Sequence, residues 1–139
     1  MTLHRETTGA GPDVALLHGW GLHGGIWHHV VEDLAPRCRV HALDLPGFGR
    51  SHWDKGCTDV EGIARRVAEH LPQHCSLVGW SLGGMVAMRI ATLFPTRVQR
   101  LVLVSTTPRF VKHRSWPHGM EPATLAGFGL PAAVADMLA

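Results

Sequence analysis

The 139-residue chain has little cysteine and no long apolar run. Its three cysteines show no CxxC spacing, and their odd number argues against a disulfide framework and for a reducing compartment. No run approaches the roughly 18 apolar residues of a transmembrane helix, and the start of the chain lacks the apolar segment of a signal peptide. The sequence therefore predicts a soluble cytoplasmic protein.

The chain also has little excess of positive over negative charge. The 13 Lys and Arg residues nearly balance the 11 Asp and Glu residues, so the formal charge is only +2. This balance argues against nucleic acid or a membrane surface as the main partner. The length and the hydrophobic fraction of 45% instead fit one globular domain with a packed core.

Four short apolar runs predict buried strands. They are continuous rather than alternating, which is typical of strands covered on both faces. Segments with helical character separate them, and a capping-box pattern at 58–61 opens the second. We therefore predict an α/β fold, with a mostly parallel sheet and helices on both faces. The predicted strands are 14–17, 40–43, 76–78 and 101–104, with a weaker strand within 3–8, and the predicted helices are 27–34, 59–71 and 82–93.

The pattern changes after Ser105. Prolines and glycines interrupt the tail, which ends in a short helical pattern over 132–138. The sequence thus divides into a core, 1–108, and the beginning of an excursion from the sheet, 109–139.

The strongest functional signal is the hexapeptide Gly79-Trp80-Ser81-Leu82-Gly83-Gly84. It fits the G-x-S-x-G pattern and lies between a predicted strand and a predicted helix, the context of a nucleophile elbow. Such a turn strains the central serine and exposes its hydroxyl, and glycine is needed at 79 and 83 because side chains there would collide. Ser81 is therefore the candidate nucleophile. The alternative is a Gly-rich turn that only caps a helix.

A second signal, His18-Gly19-Trp20-Gly21, directly follows the first buried strand. An oxyanion hole needs two N–H donors, one from the residue after the nucleophile and one from the loop after an earlier strand. The first is Leu82, and the motif favours Trp20 as the second. Gly19 allows the loop to approach the site, and His18 is expected to brace it. An ordinary Gly-rich turn is the alternative.

Three other patterns are weaker. The loop 44–51 contains Gly-Phe-Gly but lacks the third glycine of a dinucleotide motif, so Asp44 and Arg50 are expected to fasten a loop beside the site. Four histidines between positions 18 and 29 come without a carboxylate ligand pattern, which argues against a metal site. Trp20 and Trp80 flank the serine and either line an acyl pocket or pack in the core.

The candidate nucleophile lacks an evident base. The order in this architecture is serine, acid, histidine. After Ser81 the acids are Glu121 and Asp136, while His113 and His118 both precede Asp136 and neither follows a predicted strand. The sequence thus supplies a nucleophile and an oxyanion hole but no credible acid–histidine pair.

Together, the motifs 18–21, 44–51 and 79–84 resemble the α/β-hydrolase superfamily, and the tail 116–128 is similar to the carboxylesterases of biotin biosynthesis. The resemblance covers essentially the whole chain, but only about the first half of a hydrolase domain of roughly 250 residues. It implies a serine carboxylesterase that hydrolyses the methyl ester of pimeloyl-acyl-carrier protein without cofactor or metal. It also implies Ser81 as nucleophile, with Trp20 and Leu82 as oxyanion donors.

The resemblance further implies that the acid and the histidine follow a helical lid, whose start is the segment 109–139. In that family the lid is basic and meets the acidic carrier protein, so Arg109, Lys112 and Arg114 become candidate contacts; a solvated basic face is the alternative. Another α/β hydrolase (a short-chain esterase, thioesterase or C–C hydrolase) and an inactive truncated chain both stay open. We also expect the isolated chain to expose an apolar edge strand and to self-associate.

Overall fold

The computed structural model describes residues 2–129 and Met137, and within them a five-stranded sheet forms the centre of the molecule. Its strands are β1 (Arg5–Thr8), β2 (Asp13–Leu17), β3 (Arg39–Leu43), β4 (Cys75–Trp80) and β5 (Val98–Val104). They lie in the order β1-β3-β2-β4-β5. β1 pairs antiparallel with β3, and the other neighbours are parallel. All predicted strands are present, and the mostly parallel α/β sheet is confirmed.

Helices lie on both faces of the sheet. They are α1 (His28–Leu34), preceded by a 3-10 turn at Gly24–Trp27, α2 (Val60–Ala68), α3 (Leu82–Leu93) and α4 (Pro122–Ala126). Leu16 packs with Trp27 on the α1 side, while its neighbour Leu17 packs with Ile63 and Val86 of α2 and α3. Consecutive strand residues point to opposite faces, so β2 anchors two separate apolar layers.

The start of α2 differs from the predicted capping box. Asp59, not Thr58, is the N-cap, and its carboxylate accepts a 2.7 Å hydrogen bond from the Gly62 N–H. Glu61 does not reach back to the cap but binds Arg65 and Arg89. An aspartate one residue closer to the helix satisfies the same free N–H groups, which leaves the glutamate for ion pairs.

The end of α2 also differs, because the helix stops at Ala68 rather than at 71. The Glu69 N–H still bonds the Arg65 carbonyl four residues back, but the two N–H groups after it bond three residues back: His70 to the Val67 carbonyl and Leu71 to the Ala68 carbonyl. Pro72 follows directly and disfavours helical geometry in the residue before it, so the last turn tightens and ends.

β5 contradicts the expectation of a strand covered on both faces. Leu101, Val102, Leu103 and Val104 are all 37–50% exposed. Since these side chains point alternately to the two faces, the described residues cover neither face there. Within the described part of the chain, β4 is the only strand that pairs with β5.

The segment after β5 folds back over the carboxyl end of the sheet. Two isolated bridges, Val111 with Met120 and His113 with Trp116, close it into a loop, and α4 follows. Val111 and Leu125 are buried against the core cluster that includes α3. The helical pattern over 132–138 lies outside the described residues apart from Met137, which is buried. Of the helices described, none has both the length and the apolar character needed to cross a membrane.

Candidate active site

Ser81 occupies the sharp turn between β4 and α3. Its backbone has φ +52° and ψ −116°, a region that non-glycine residues rarely adopt. Three hydrogen bonds hold this conformation: the Ser81 N–H donates to the Val104 carbonyl at 3.0 Å, and the Ser81 carbonyl accepts from Gly84 at 2.9 Å and Met85 at 3.2 Å. This is the strained strand-to-helix turn that the hexapeptide predicts.

Backbone atoms surround the two glycines that flank the turn. A β-carbon on Gly79 would overlap the Gly83 carbonyl oxygen, and one on Gly83 would overlap the Leu17 carbonyl oxygen. The clash expected between positions 79 and 83 is therefore real, and Gly83 also lets α3 press against the end of β2. Gly84 faces Thr106, whose Cγ2 and Oγ1 atoms would lie 2.5 Å from a β-carbon there.

The loop after β2 lies directly against the serine. A β-carbon on Gly19 would lie 3.4 Å from the Ser81 β-carbon and 3.3 Å from the Trp80 ring. Gly21, at φ +74°, turns the loop back. Leu82 is the first residue of α3, where a backbone N–H has no acceptor within the helix. The structure therefore brings the Trp20 loop and the free end of α3 to the same serine.

His18 fixes the orientation of the peptide that carries the Trp20 N–H. Its buried ring bonds the Gly19 carbonyl oxygen through Nδ1 at 2.7 Å, and Nε2 accepts from the Leu45 N–H at 2.9 Å. Nδ1 must therefore carry the proton. Because a trans peptide points its C=O and N–H in opposite directions, holding the Gly19 oxygen also aims the Trp20 N–H.

Burial and the bond from the Leu45 N–H keep the His18 ring neutral. Burial lowers the pKa of His18 below 6.5, although the Gly19 carbonyl and the Asp44 carboxylate favour the charged form. A protonated ring would lose the bond from the Leu45 N–H, because Nε2 would then be a donor. As a neutral imidazole, His18 thus links the Gly19 carbonyl to the Leu45 N–H.

The loop after β3 is fastened by Asp44. Its carboxylate accepts hydrogen bonds from the Gly24 N–H at 2.6 Å and from the Arg50 N–H at 2.8 Å, while its carbonyl accepts from the Ser51 hydroxyl at 2.6 Å. Arg50 contributes its backbone rather than its side chain, which lies 3.9 Å from Glu6. The expected fastening is present, but the guanidinium takes no part in it.

A cavity of about 600 Å³ opens beside Ser81. Trp20, 42% exposed, lines it and meets Phe48 edge-on at 5.0 Å. Trp80 packs instead in the cluster with Leu16 on the opposite face, so the two tryptophans divide between the two predicted roles. Apart from Trp20 and Ser81, the lining residues are Leu82, Met85, Ser105, Thr106, Thr107, Phe110, Met120, Leu125 and Phe128.

Thr106 and Ser105 are site residues that the sequence analysis missed. The Thr106 hydroxyl donates to the Ser81 carbonyl at 2.7 Å, and Ser105 has an unusual φ of +44°. The available signal was their position: a polar Ser-Thr-Thr run directly follows an apolar strand, at the carboxyl edge where parallel sheets bind ligands.

The three basic candidates have different surroundings. The Arg109 Nε donates to the Val111 carbonyl at 3.2 Å. Lys112 forms an ion pair with Glu121, so its charge is largely balanced. Arg114 is exposed. Lys112 and Arg114 are thus both exposed, and Lys112 differs in having its charge balanced by Glu121.

No histidine is among the described residues that line the cavity. His113 bonds the Ser115 hydroxyl at 2.7 Å, and the ring of His118 packs edge-on to Trp116 at 5.1 Å. Across residues 2–129, no group of three or more His, Cys, Asp or Glu side chains is arranged to hold a metal ion. The described residues therefore offer a strained serine, backbone donors and an apolar cavity.

Comparison with known proteins gives consistent results. A sequence profile of the alpha/beta hydrolase fold matches residues 12–138. The chain is 50% identical over 127 residues to a pimeloyl-[acyl-carrier protein] methyl ester esterase of Nitrosomonas europaea, covering 91% of this chain and 50% of that protein. The chain thus spans about half the length of the curated relatives that it matches.

Solved structures extend the likeness beyond a single activity. A thermophilic esterase from Thermogutta terrifontis aligns with a TM-score of 0.71 and 35% identity over 77% of this chain and 41% of that chain. The epoxide hydrolase CorEH aligns with a TM-score of 0.74 and 31% identity over 81% of this chain and 41% of its own. The fold is therefore shared by proteins whose names state different reactions.

Proposed function

The chain belongs to the alpha/beta hydrolase fold family, and from that premise we propose that Ser81 is the nucleophile of a serine carboxylesterase. The observation that carries the proposal is the backbone of Ser81, held at φ +52° at the head of α3 and beside an apolar cavity. A strained serine in this position is stabilised only because the surrounding hydrogen bonds and close-packed glycines enforce it.

The proposed chemistry follows from the groups around the serine. The Ser81 Oγ attacks an ester carbonyl as a base removes its proton, and the backbone N–H groups of Trp20 and Leu82 bind the oxyanion. The alcohol leaves, and water then hydrolyses the acyl-enzyme. None of these steps needs a metal or a cofactor. We assign no base among the described residues, because none of their histidines lines the cavity.

We extend the proposal to an ester carried on an acyl-carrier protein. The relatives in Nitrosomonas europaea and Chromobacterium violaceum are named pimeloyl-[acyl-carrier protein] methyl ester esterases, and the apolar cavity suits an unbranched acyl chain. The acidic carrier would meet the segment 109–139 as the start of a lid, with Arg114 as the main contact and Arg109 and Lys112 as lesser ones. Such a substrate would place the reaction in the cytoplasm.

A non-catalytic chain is the second candidate, and one observation favours it. Nucleophilic attack by serine requires a base, and none of the described histidines lines the cavity beside Ser81. On this alternative the elbow and the cavity bind an acyl ligand without turnover.

The test compares two serine substitutions in the protein as its source organism produces it. Methanol release from pimeloyl-acyl-carrier protein methyl ester is measured for Ser81→Ala and for Ser115→Ala, an exposed serine outside the site. We expect Ser81→Ala to lower turnover by roughly 10³-fold or more and Ser115→Ala to leave it unchanged. Equal turnover in both variants would refute Ser81 as nucleophile. Hydrolysis of p-nitrophenyl butyrate without methanol release would support an esterase activity but would contradict the proposal of a carrier-bound substrate.

A further inference from the structure

Two cavities lie end to end along one face of α3. The first contains Ser81 and has a volume of about 600 Å³, and the second has a volume of about 390 Å³. From α3, Leu82 and Met85 line the first cavity, while Met85, Met88, Arg89 and Thr92 line the second. Residues three or four apart share a helix face, so these side chains form one continuous stripe.

The opposite wall is continuous as well. The segment after β5 contributes residues 105–107 and Phe110 to the first cavity, and Pro108 and Arg109 to the second. Both walls therefore pass from one cavity into the next. Among the described residues, Met85 alone lines both cavities.

The position of Met85 suits a partition. It is 7% exposed, and its N–H donates to the Ser81 carbonyl at 3.2 Å, so it lies one helical turn beyond the candidate nucleophile. Its side chain is unbranched and flexible, and it is large enough to close a gap that a smaller side chain would leave open. Val60, Met88 and Met137 line the second cavity beside the ion pair of Glu61 and Arg89, so a chain that passed Met85 would meet apolar side chains next to charged ones.

We propose that Met85 sets the longest acyl chain that the site beside Ser81 accepts, and that removing its side chain joins the second cavity to the first. The proposal rests on the proposed function, because it takes the first cavity as the acyl site. An unbranched chain gains affinity with each methylene that it buries until its end meets Met85. Beyond that length, further methylenes bring no gain.

The test measures binding rather than turnover, so that it needs no catalytic base. The 139-residue chain with Ser81→Ala is titrated calorimetrically with methyl esters of unbranched acids, from methyl butanoate to methyl dodecanoate. Affinity should rise by about fourfold per methylene and then level off. Adding Met85→Ala should move the levelling-off to longer esters. Met88→Ala is the matched control, since Met88 lines only the second cavity, and it should leave the levelling-off unchanged.

A second measurement does not depend on the folding of a Met85→Ala variant. The methionine methyl groups are labelled with ¹³C, and the Met85 signal is assigned through Met85→Leu. We expect the longest ester that still gains affinity to shift the Met85 signal, and methyl butanoate to leave it in place.

The outcomes separate this inference from the function on which it rests. Affinity that rises with chain length but levels off at the same length in Met85→Ala would overturn the role of Met85 alone, as would a Met85 signal that no ester shifts. An affinity that does not depend on the acyl chain length would count against an acyl site beside Ser81, and so against the proposed function itself.

Discussion

The side-chain hydroxyl of Thr106 donates a 2.7 Å hydrogen bond to the main-chain carbonyl of Ser81. This contact ties the loop after β5 to the strained turn after β4, two elements that are adjacent in the sheet but 25 residues apart in sequence. The methyl group of Thr106 also faces Gly84, so the residue contacts the elbow through both branches of its side chain. Thr106 thus supports a conformation that a serine does not adopt by itself.

Replacing Thr106 by valine should weaken the elbow modestly. The Ser81 carbonyl would still accept from the N–H groups of Gly84 and Met85, so we expect a loss of about 0.5–1 kcal/mol in the free energy of unfolding, the lower part of the range for a hydrogen bond. Urea denaturation measures it. Thr92→Val is the matched control, since the Thr92 hydroxyl only returns to its own helix at Met88. Equal losses in the two variants would show that the Thr106 hydroxyl does not stabilise the turn.

Gly83→Ala should be far more damaging than an ordinary glycine substitution. The new β-carbon would overlap the Leu17 carbonyl oxygen, a backbone atom of the central sheet that cannot move aside. We expect a loss of about 3 kcal/mol or more, which can prevent folding. The control is Gly56→Ala, where the nearest atom is an Asp54 oxygen 3.6 Å away. Denaturation followed by circular dichroism measures the free energy of unfolding of both variants. Equal stability would contradict the close approach of α3 to β2.

The sequence predicted the local features of the site better than its long-range contacts. The elbow at Ser81 could be foreseen because a strand, a turn and a helix are encoded by consecutive residues with a fixed spacing of glycines. The contact between Thr106 and Ser81 could not, because it depends on which strands become neighbours. The sequence did not distinguish the roles of Trp20 and Trp80 for the same reason: only the packing shows that Trp20 lines the cavity and that Trp80 packs against the core.

The strand prediction had a similar limit. The apolar run at 101–104 correctly indicated a strand, but apolar composition says only which residues need cover and not whether cover is present. The observed exposure of Leu101 and Val102 depends on which other segments pack against β5, and the apolar run itself does not encode this. At α2, by contrast, the cap that forms is local to the predicted capping box, because Asp59 directly follows Thr58 in the sequence.

The stability of the fold should fall in mildly acidic solution because of His18. Burial lowers the pKa of His18 below 6.5, so the unfolded chain takes up the proton more readily than the native protein does. Above pH 6.5 the protonation of His18 contributes little to the pH dependence of the free energy of unfolding. As the pH falls below 6.5 towards the lowered native pKa, the free energy of unfolding decreases.

The measurement is urea denaturation at several pH values between 8 and 5, for the unmodified chain and for His18→Gln. The variant should show a flatter dependence on pH, although it is less stable overall because the bonds to Gly19 and Leu45 change. His29→Gln is the control, because His29 has a side chain that is 81% exposed, and it should retain the original slope. A slope that is unchanged in His18→Gln would show that other groups cause the acid sensitivity.

The edge of β5 that the described residues leave uncovered should make the 139-residue chain associate with itself. An apolar strand with unpaired backbone groups is a template for pairing with another strand, and a charged side chain on such an edge opposes pairing. Val102 is 50% exposed, so Val102→Lys should shift the chain towards monomer in sedimentation velocity. Thr8→Lys places the same charge on β1, the opposite edge of the sheet, and should leave association unchanged. An unmodified chain that sediments as a clean monomer and unfolds cooperatively would contradict the prediction, because the β5 edge would then be tolerated in water without a partner.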